Sequence, residues 1–235
     1  MPKRITYLEA RPDKDREAFR THWSTTHAEI ARDLPGVTAY RQNHVLPPAG
    51  QSSAPAAASA VEESAEGLAY RVDGIVELWF ADEKVVGAGF ASDVAARLIV
   101  DEPNFLSGLT GGPVTAGTPN AHWPFKVWVL ARWADGAEPA RDALEFWAEQ
   151  LSATHDGALG WGVNVLVPGA ELLVREALRR EEPIPEVAVS IGFATQAAAQ
   201  AAADELDQQL AQGMDGLQGV LTRLHACLAE EIVII

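Results

Sequence analysis

The feature that most limits what this chain can fold into is an order of elements that occurs twice: strand, helix, strand, strand, helix, strand. Residues 3–9 alternate Ile5 and Tyr7 against Thr6 and Leu8, the period of a strand. Asp13 or Asp15 can cap a helix whose Phe19, Trp23 and His27 stand four apart on one face, and Leu34-Pro35-Gly36 ends it. Strands follow at 37–46 and 73–80, then a helix over 92–101 with Ser92 as N-cap and Pro103 just past its end. The Gly-, Pro- and Thr-rich stretch 108–120 is read as a fourth, edge strand that also links the halves. The second pass places strands at 126–133, 161–167 and 186–193 and helices at 138–153 and 195–212, the latter capped by Thr195. An inserted helix is expected at 171–182, and the chain finishes on the strand-like EEIVII. Between the second and third strands, AGQSSAPAAASAVEESAEG has no periodicity and reads as a mobile connection that could cover a cavity.

Aligned by element, Tyr40-Arg41-Gln42-Asn43 falls on Trp161-Gly162-Val163-Asn164, and Phe80-Ala81 on Phe193-Ala194. Each pass is a split βαβ, the ferredoxin-like unit, whose helices cover one face of its sheet and leave the other bare. Two such units bury their bare faces against each other. The expected fold is therefore α+β: two tandem ferredoxin-like repeats, residues 1–118 and 119–235, with antiparallel sheets packed face to face as an α+β barrel, an internal pseudo-dimer.

Composition narrows the partners. Lys plus Arg number 18 against 33 Asp plus Glu, a net charge of −15 that repels phosphate backbones and anionic lipid. Nucleic acid and membrane surfaces are thus excluded as expected partners. Cys227 stands alone, so no intrachain disulfide can form. The basic start MPKR is followed by no apolar run, and no stretch approaches a membrane span, so a cytoplasmic protein is expected.

Several separated motifs carry a family resemblance: Phe19-x3-Trp23-x3-His27-Ala28, Leu34-Pro35-Gly36 with Tyr40-x2-Asn43, Asp73-Gly74-x2-Glu77-x-Trp79-Phe80, and Asp101-Glu102-x2-Phe105. Over roughly residues 3–110 the chain resembles the EthD family of dimeric α+β barrels. The resemblance implies the barrel fold. It also implies kinship with cofactor-free monooxygenases, lactone isomerases and polyketide cyclases or dehydratases, so the fold alone does not set the chemistry. The second half departs from the pattern: Ala148 stands where His27 does, Gly192 where Trp79 does, and Ser190 where Glu77 does. Chemistry is expected in the first half.

Period two sorts the strand faces. Val76, Leu78 and Phe80 belong beneath helices, so Ile75, Glu77 and Trp79 point into the barrel. In the second strand, Tyr40, Gln42 and His44 share one face and Arg41, Asn43 and Val45 the other; the first set is the more natural cavity lining. With Tyr7 this gives a candidate pocket of Tyr7, Tyr40, Gln42, His44, Glu77 and Trp79, walled by Trp23. Glu77 would have its pKa raised by desolvation and serve as a proton shuttle, or pair structurally with Arg41 or Arg71. His27 is a helix-end residue bonding a carbonyl, an acid–base group beside a strand tyrosine, or, least of all, a metal ligand, since His22 five residues earlier lies on another helical face.

His27, His44, Glu77 and Tyr40 are the candidate catalytic residues, and Tyr7, Trp23, Gln42 and Trp79 the substrate-binding ones. No dinucleotide, phosphate-loop or nucleophile-elbow motif is present, so neither cofactor nor metal is expected. Haem through His155 or His225 ranks low. The sequence thus points to a cofactor-free enzyme acting on a small, mostly apolar organic molecule. Its chemistry would be oxidative, or isomerisation or dehydration by proton transfer. A non-catalytic binding or accessory protein is the alternative, and a homodimer beyond the internal pair stays open.

Overall fold

The computed structural model describes residues 1–47, 70–116, 121–212 and 219–235. The expected connection between the second and third strands falls almost wholly outside them, and so does its relation to any cavity. The strands are β1 (Lys3–Ala10), β2 (Val37–Val45), β3 (Gly74–Phe80), β4 (Leu106–Ala116), β5 (Phe125–Trp133), β6 (Ala158–Leu166), β7 (Val187–Phe193) and β8 (Leu221–Val233). They close into an antiparallel barrel in the order β1-β3-β2-β8-β5-β7-β6-β4. Each half contributes neighbouring strands in the ferredoxin-like order, β4-β1-β3-β2 and β8-β5-β7-β6, and the halves join along β2·β8 and β4·β6. The fourth strand is therefore not an edge, because β6 takes up its free side. Among the described residues no helix is long and apolar enough to cross a membrane.

Helices pack outside both sheets: α1 (Arg16–His22), α2 (Ala28–Ala31), α3 (Glu83–Phe90), α4 (Asp93–Asp101), α5 (Arg141–Thr154) and α6 (Gln196–Gln212). Their starts follow capping chemistry. Asp15 accepts from the Ala18 amide, Ser92 from Ala95 and Thr195 from Ala198. The sequence reading lacked α3, a short glycine-containing helix whose cap, Asp82, accepts from the Lys84 and Val85 amides. Beneath the helices of the first half lies a core that includes Leu8, Phe19, Trp23, Tyr40, Val76, Leu98 and Leu106; Val127, Leu144, Val163 and Phe193 belong to its counterpart.

The interior of the barrel combines an apolar cluster that includes Ile5, Tyr7, Ile75, Trp128 and Leu130 with a buried network of charges. Lys3 donates to Glu77 at 2.6 Å and to the Asn164 side chain at 2.8 Å; Lys126 reaches the other Glu77 oxygen at 2.5 Å and also pairs with Glu231. Asn43 adds a bond to Glu77 at 3.1 Å, and all four charged side chains are at most 2% exposed. Two charges come from each half. The arrangement carries the memory of the repeat: Lys3 pairs across to Trp79 as Lys126 does to Gly192, and Asn43 and Asn164 are aligned in sequence. Only the acids break the symmetry.

One expected element is corrected. Residues 171–182 read as a helix but form none; residues 167–186 run as an irregular strap of turns and two bridge residues, Leu173 and Arg179. β6 covers β4 only from Val114 to Ala116, so the earlier part of β4 needs other partners. The strap supplies them: the Leu109 amide donates to Arg179, Gly111 and Leu173 exchange bonds at 3.0 and 2.7 Å, and the Arg179 amide donates to Ser107. Unsatisfied sheet backbone outweighs local helix propensity here.

Glu77→Gln leaves Lys3 and Lys126 facing each other without the acid between them. A loss of about 3–5 kcal/mol is expected in urea denaturation. Adding Lys126→Met restores charge balance and should recover much of it; a single variant as stable as wild type would show the network to be uncoupled.

Candidate active site

The predicted pocket residues divide between two faces of the sheet. Tyr7, Glu77 and Trp79 point into the barrel as expected, Trp79 with the Lys3 ammonium 4.5 Å from its ring centre. Tyr40, Gln42 and His44 do not join them. In β2 it is Arg41 and Asn43 that face inward, beside Glu77 and Glu231, while Tyr40, Gln42 and His44 face the helices. Glu77 also lacks the character of a shuttle. Burial pushes its carboxyl up, but Lys126 and Lys3 outweigh burial and hold it well below the usual carboxylate range. Its partners are these lysines, not Arg41 or Arg71. Tyr7 is pushed far up by burial, with Tyr70, Cys227 and Glu77 adding to the effect.

On the helix side, Trp23 joins α1 to α2 through a π-helical turn, Trp23–His27. Ser24 and Thr25 hydroxyls bond back to the carbonyls of Arg20 and Thr21 at 2.8 and 2.6 Å, which favours the wider turn. The widening changes which residues share a face. His22 and His27, five apart, converge on one carboxylate: His22 Nε2 lies 2.9 Å from Asp101 Oδ1, and His27 Nδ1 2.9 Å from Asp101 Oδ2. The two histidines therefore lie together, contrary to the regular-helix expectation, and the Phe105 ring packs against both at 4.8 and 5.0 Å. Burial would raise Asp101, yet the bonds from His27 and His22 bring it down to about 2.

Trp23 lies flat over β3. A Cβ on Gly74 would come within 2.5 Å of its ring, so this approach requires glycine. Its indole donates to the Tyr40 hydroxyl at 3.2 Å, and its ring centre lies 4.2 Å from that of His44. Between the sheet and the helices is a cavity of about 50 Å³ with walls that include Leu8, Leu34, Val76, Leu98 and Leu109. His27 and Tyr40 both line it. With Nδ1 held by Asp101, the Nε2 lone pair of His27 is unspent among the described residues. An apolar chamber with one oriented imidazole and one phenol suits proton transfer to and from a weakly acidic C–H or O–H.

The second half contributes to this chamber. Leu173 and Arg175 of the strap complete its wall, and Arg175 clasps Glu102 with two bonds at 2.5 and 3.1 Å. An apolar cavity near 150 Å³ admits benzene. At about 50 Å³ this one is smaller than that, and an aromatic molecule requires it to widen.

Sequence reading missed Asp101, Glu102 and Arg175 as site residues. Asp101-Glu102 was visible as a motif, but its histidine partners depend on the π-turn. Lys126 could have been found as a charge on the strand face shared with Trp128 and Leu130. Among the described residues no group of three or more His, Cys, Asp or Glu is arranged to hold a metal ion. Haem does not fit the second half: Leu144, Ala148, Val163 and Phe193, each fully buried, fill the space beneath its helices, and His155 sits at the end of α5, 3.5 Å from Glu205.

The family model described as EthD domain matches residues 11–108. An EthD family protein from Bacillus halodurans c-125 aligns at 20% identity over 48% of this chain and 97% of its own, with a TM-score of 0.33. Over 98% of this chain the fold is similar to that of an anthrone oxidase-like protein, covered to 90%, at 9% identity and a TM-score of 0.59. It is also similar to a dye-decolorizing peroxidase from Bacteroides thetaiotaomicron VPI-5482, over 97% of this chain and 92% of that one, at 9% identity and a TM-score of 0.51. None of the curated proteins compared with the chain matches it. The likeness to the anthrone oxidase-like protein and to the peroxidase agrees with the α+β barrel fold.

Two outcomes test this geometry. Because Asp101 is held below its unfolded value, the stability it adds is present above about pH 4 and is lost as pH falls through about 2. The difference in denaturation midpoint between wild type and Asp101→Asn should therefore shrink over that interval. Arg175→Gln frees the strap, and hydrogen exchange at the Leu173 and Arg179 amides should accelerate while β1 and β3 keep their protection.

Proposed function

We propose that the chain, whose residues 11–108 match the EthD domain model, is a cofactor-free enzyme acting on a small, mostly apolar organic molecule in the helix-side cavity. Its first step is removal of a proton by His27. The observation that carries this reading is the unspent Nε2 of His27 at an apolar cavity, with Nδ1 fixed by Asp101. Asp101 orients the imidazole and stabilises its charged form once the proton has arrived. Tyr40 supplies a hydrogen bond to the charge that develops on the substrate. The carbanion then has three outlets: reprotonation elsewhere, loss of a leaving group, or oxidation by dioxygen. The anthrone oxidase-like neighbour supports the last, since anthrone combines a carbonyl with an acidic CH2 group. In that case one dioxygen is consumed per anthrone, giving the quinone and water.

A carrier needs only a closed apolar chamber. The convergence of His27 and Tyr40 on one chamber favours the catalyst. The test is a panel of small aromatic ketones, anthrone included, followed by NMR for C–H to C–D exchange in D2O and by an oxygen electrode in air. Wild type should accelerate at least one, and His27→Ala should lose about 10²–10⁴-fold of that rate. No acceleration across the panel, or equal rates in the two proteins, would sink the reading.

A further inference from the structure

The hydrogen bonds around Tyr40 admit one consistent assignment of donors and acceptors. The Trp23 indole can only donate, and it meets the Tyr40 hydroxyl at 3.2 Å. The Trp23 backbone carbonyl can only accept, so the Gln42 atom 2.8 Å from it is the amide nitrogen. The second N–H of that nitrogen reaches the Tyr40 hydroxyl, also at 2.8 Å. The Gln42 oxygen then accepts from Nε2 of His44 at 3.1 Å, which fixes the proton of that imidazole on Nε2. The opposite nitrogen, Nδ1, is buried without a partner, as a lone pair against an apolar wall would be. Burial, reinforced by nearby Arg20, pushes His44 down to about 3 and keeps it neutral.

Two donors thus fill both lone pairs of the Tyr40 oxygen. Its own proton is the one valence left, and among the described residues no acceptor takes it. The ring is 2% exposed and lines the cavity. His27 presents the opposite character in the same chamber: in the neutral form with its proton on Nδ1 toward Asp101, Nε2 is an acceptor.

We infer that the chamber is built for a neutral ligand that presents an acceptor oxygen, above all a ketone carbonyl, to Tyr40, with the hydrogen to be removed facing His27. The ligand class rests on the proposed placement of His27 and Tyr40 at one site, and it specifies what that site recognises. Gln42, Trp23 and His44 are positioning residues: they hold Tyr40 as an obligate donor. In the reaction the C–H bond beside the carbonyl breaks, its proton goes to Nε2 of His27, and the electron pair moves onto the carbonyl oxygen as an enolate. The Tyr40 O–H meets that oxygen, and the step consumes no oxidant. A ligand offering a donor at this position leaves two protons opposed and is rejected.

The experiment is calorimetric titration of the full chain with 1-indanone and with indane, which share a shape and differ by the carbonyl. The readout is the ratio of the two affinities, which cancels their common apolar contribution. Tyr40→Phe should lower the ratio by about tenfold or more and change indane binding little. Gln42→Glu should do the same with Tyr40 intact, because the introduced carboxylate accepts the Tyr40 proton and turns a lone pair toward the cavity. A structural role for Gln42 would weaken both ligands together. If Gln42→Glu does not fold, Tyr40→Phe alone decides. An unchanged ratio in Tyr40→Phe, or no binding of 1-indanone to wild type up to its solubility, overturns the inference. An intact ratio effect in a protein without turnover removes only the catalytic reading, and turnover with an unchanged ratio removes only the ligand class.

Discussion

The alternation of Lys3, Glu77, Lys126 and Glu231 inside the barrel is the constraint on which the rest of the architecture depends. Charges so thoroughly removed from water are tolerable only when each has an opposite neighbour and its remaining valences are filled. Asn43 and Asn164 fill some of them here, and the Trp123 amide and His122 donate to Glu231. Each half brings one lysine and one glutamate, and the bonds from Lys126 to Glu77 and from Lys3 to Asn164 tie the two halves together across the interior. A slip of one residue at the β2·β8 seam would turn Asn43 and Glu231 to opposite faces and strand the lysines. The network fixes register more than it adds stability.

The cavity that His27 and Tyr40 line lies on the other side of the first sheet. There the π-turn performs two tasks at once. It brings His22 and His27 onto Asp101, and it places the Trp23 carbonyl and indole where Gln42 and Tyr40 meet them. The second half has no equivalent: Ala148 occupies the position of His27, and a continuous apolar core fills the space. Its contribution is instead the strap, which completes both the unpaired part of β4 and the wall of the first half's chamber. One repeat keeps the chemistry, and the other supplies its barrel partner and its cover.

The sequence by itself determined the doubled strand order, the helix caps at Ser92 and Thr195, the first-half residues that carry the family pattern, and the inward direction of Ile75, Glu77 and Trp79; it narrowed the first cap to Asp13 or Asp15. These follow from periodicity, capping chemistry and motif spacing, all of which act over a few residues. The tertiary structure alone decided which face of β2 looks inward, which histidines meet, and what residues 171–182 become. The first was hidden because both faces of each sheet are buried, one by helices and one by the other sheet, so alternation has no polar, water-facing side to orient it. The second was hidden because a π-turn makes i and i+5 neighbours where regular helix geometry separates them. The third was decided by distant backbone: amides and carbonyls of β4 that β6 does not reach must be paired, and a segment with helical pattern is held in a non-helical path that pairs them at Leu173 and Arg179.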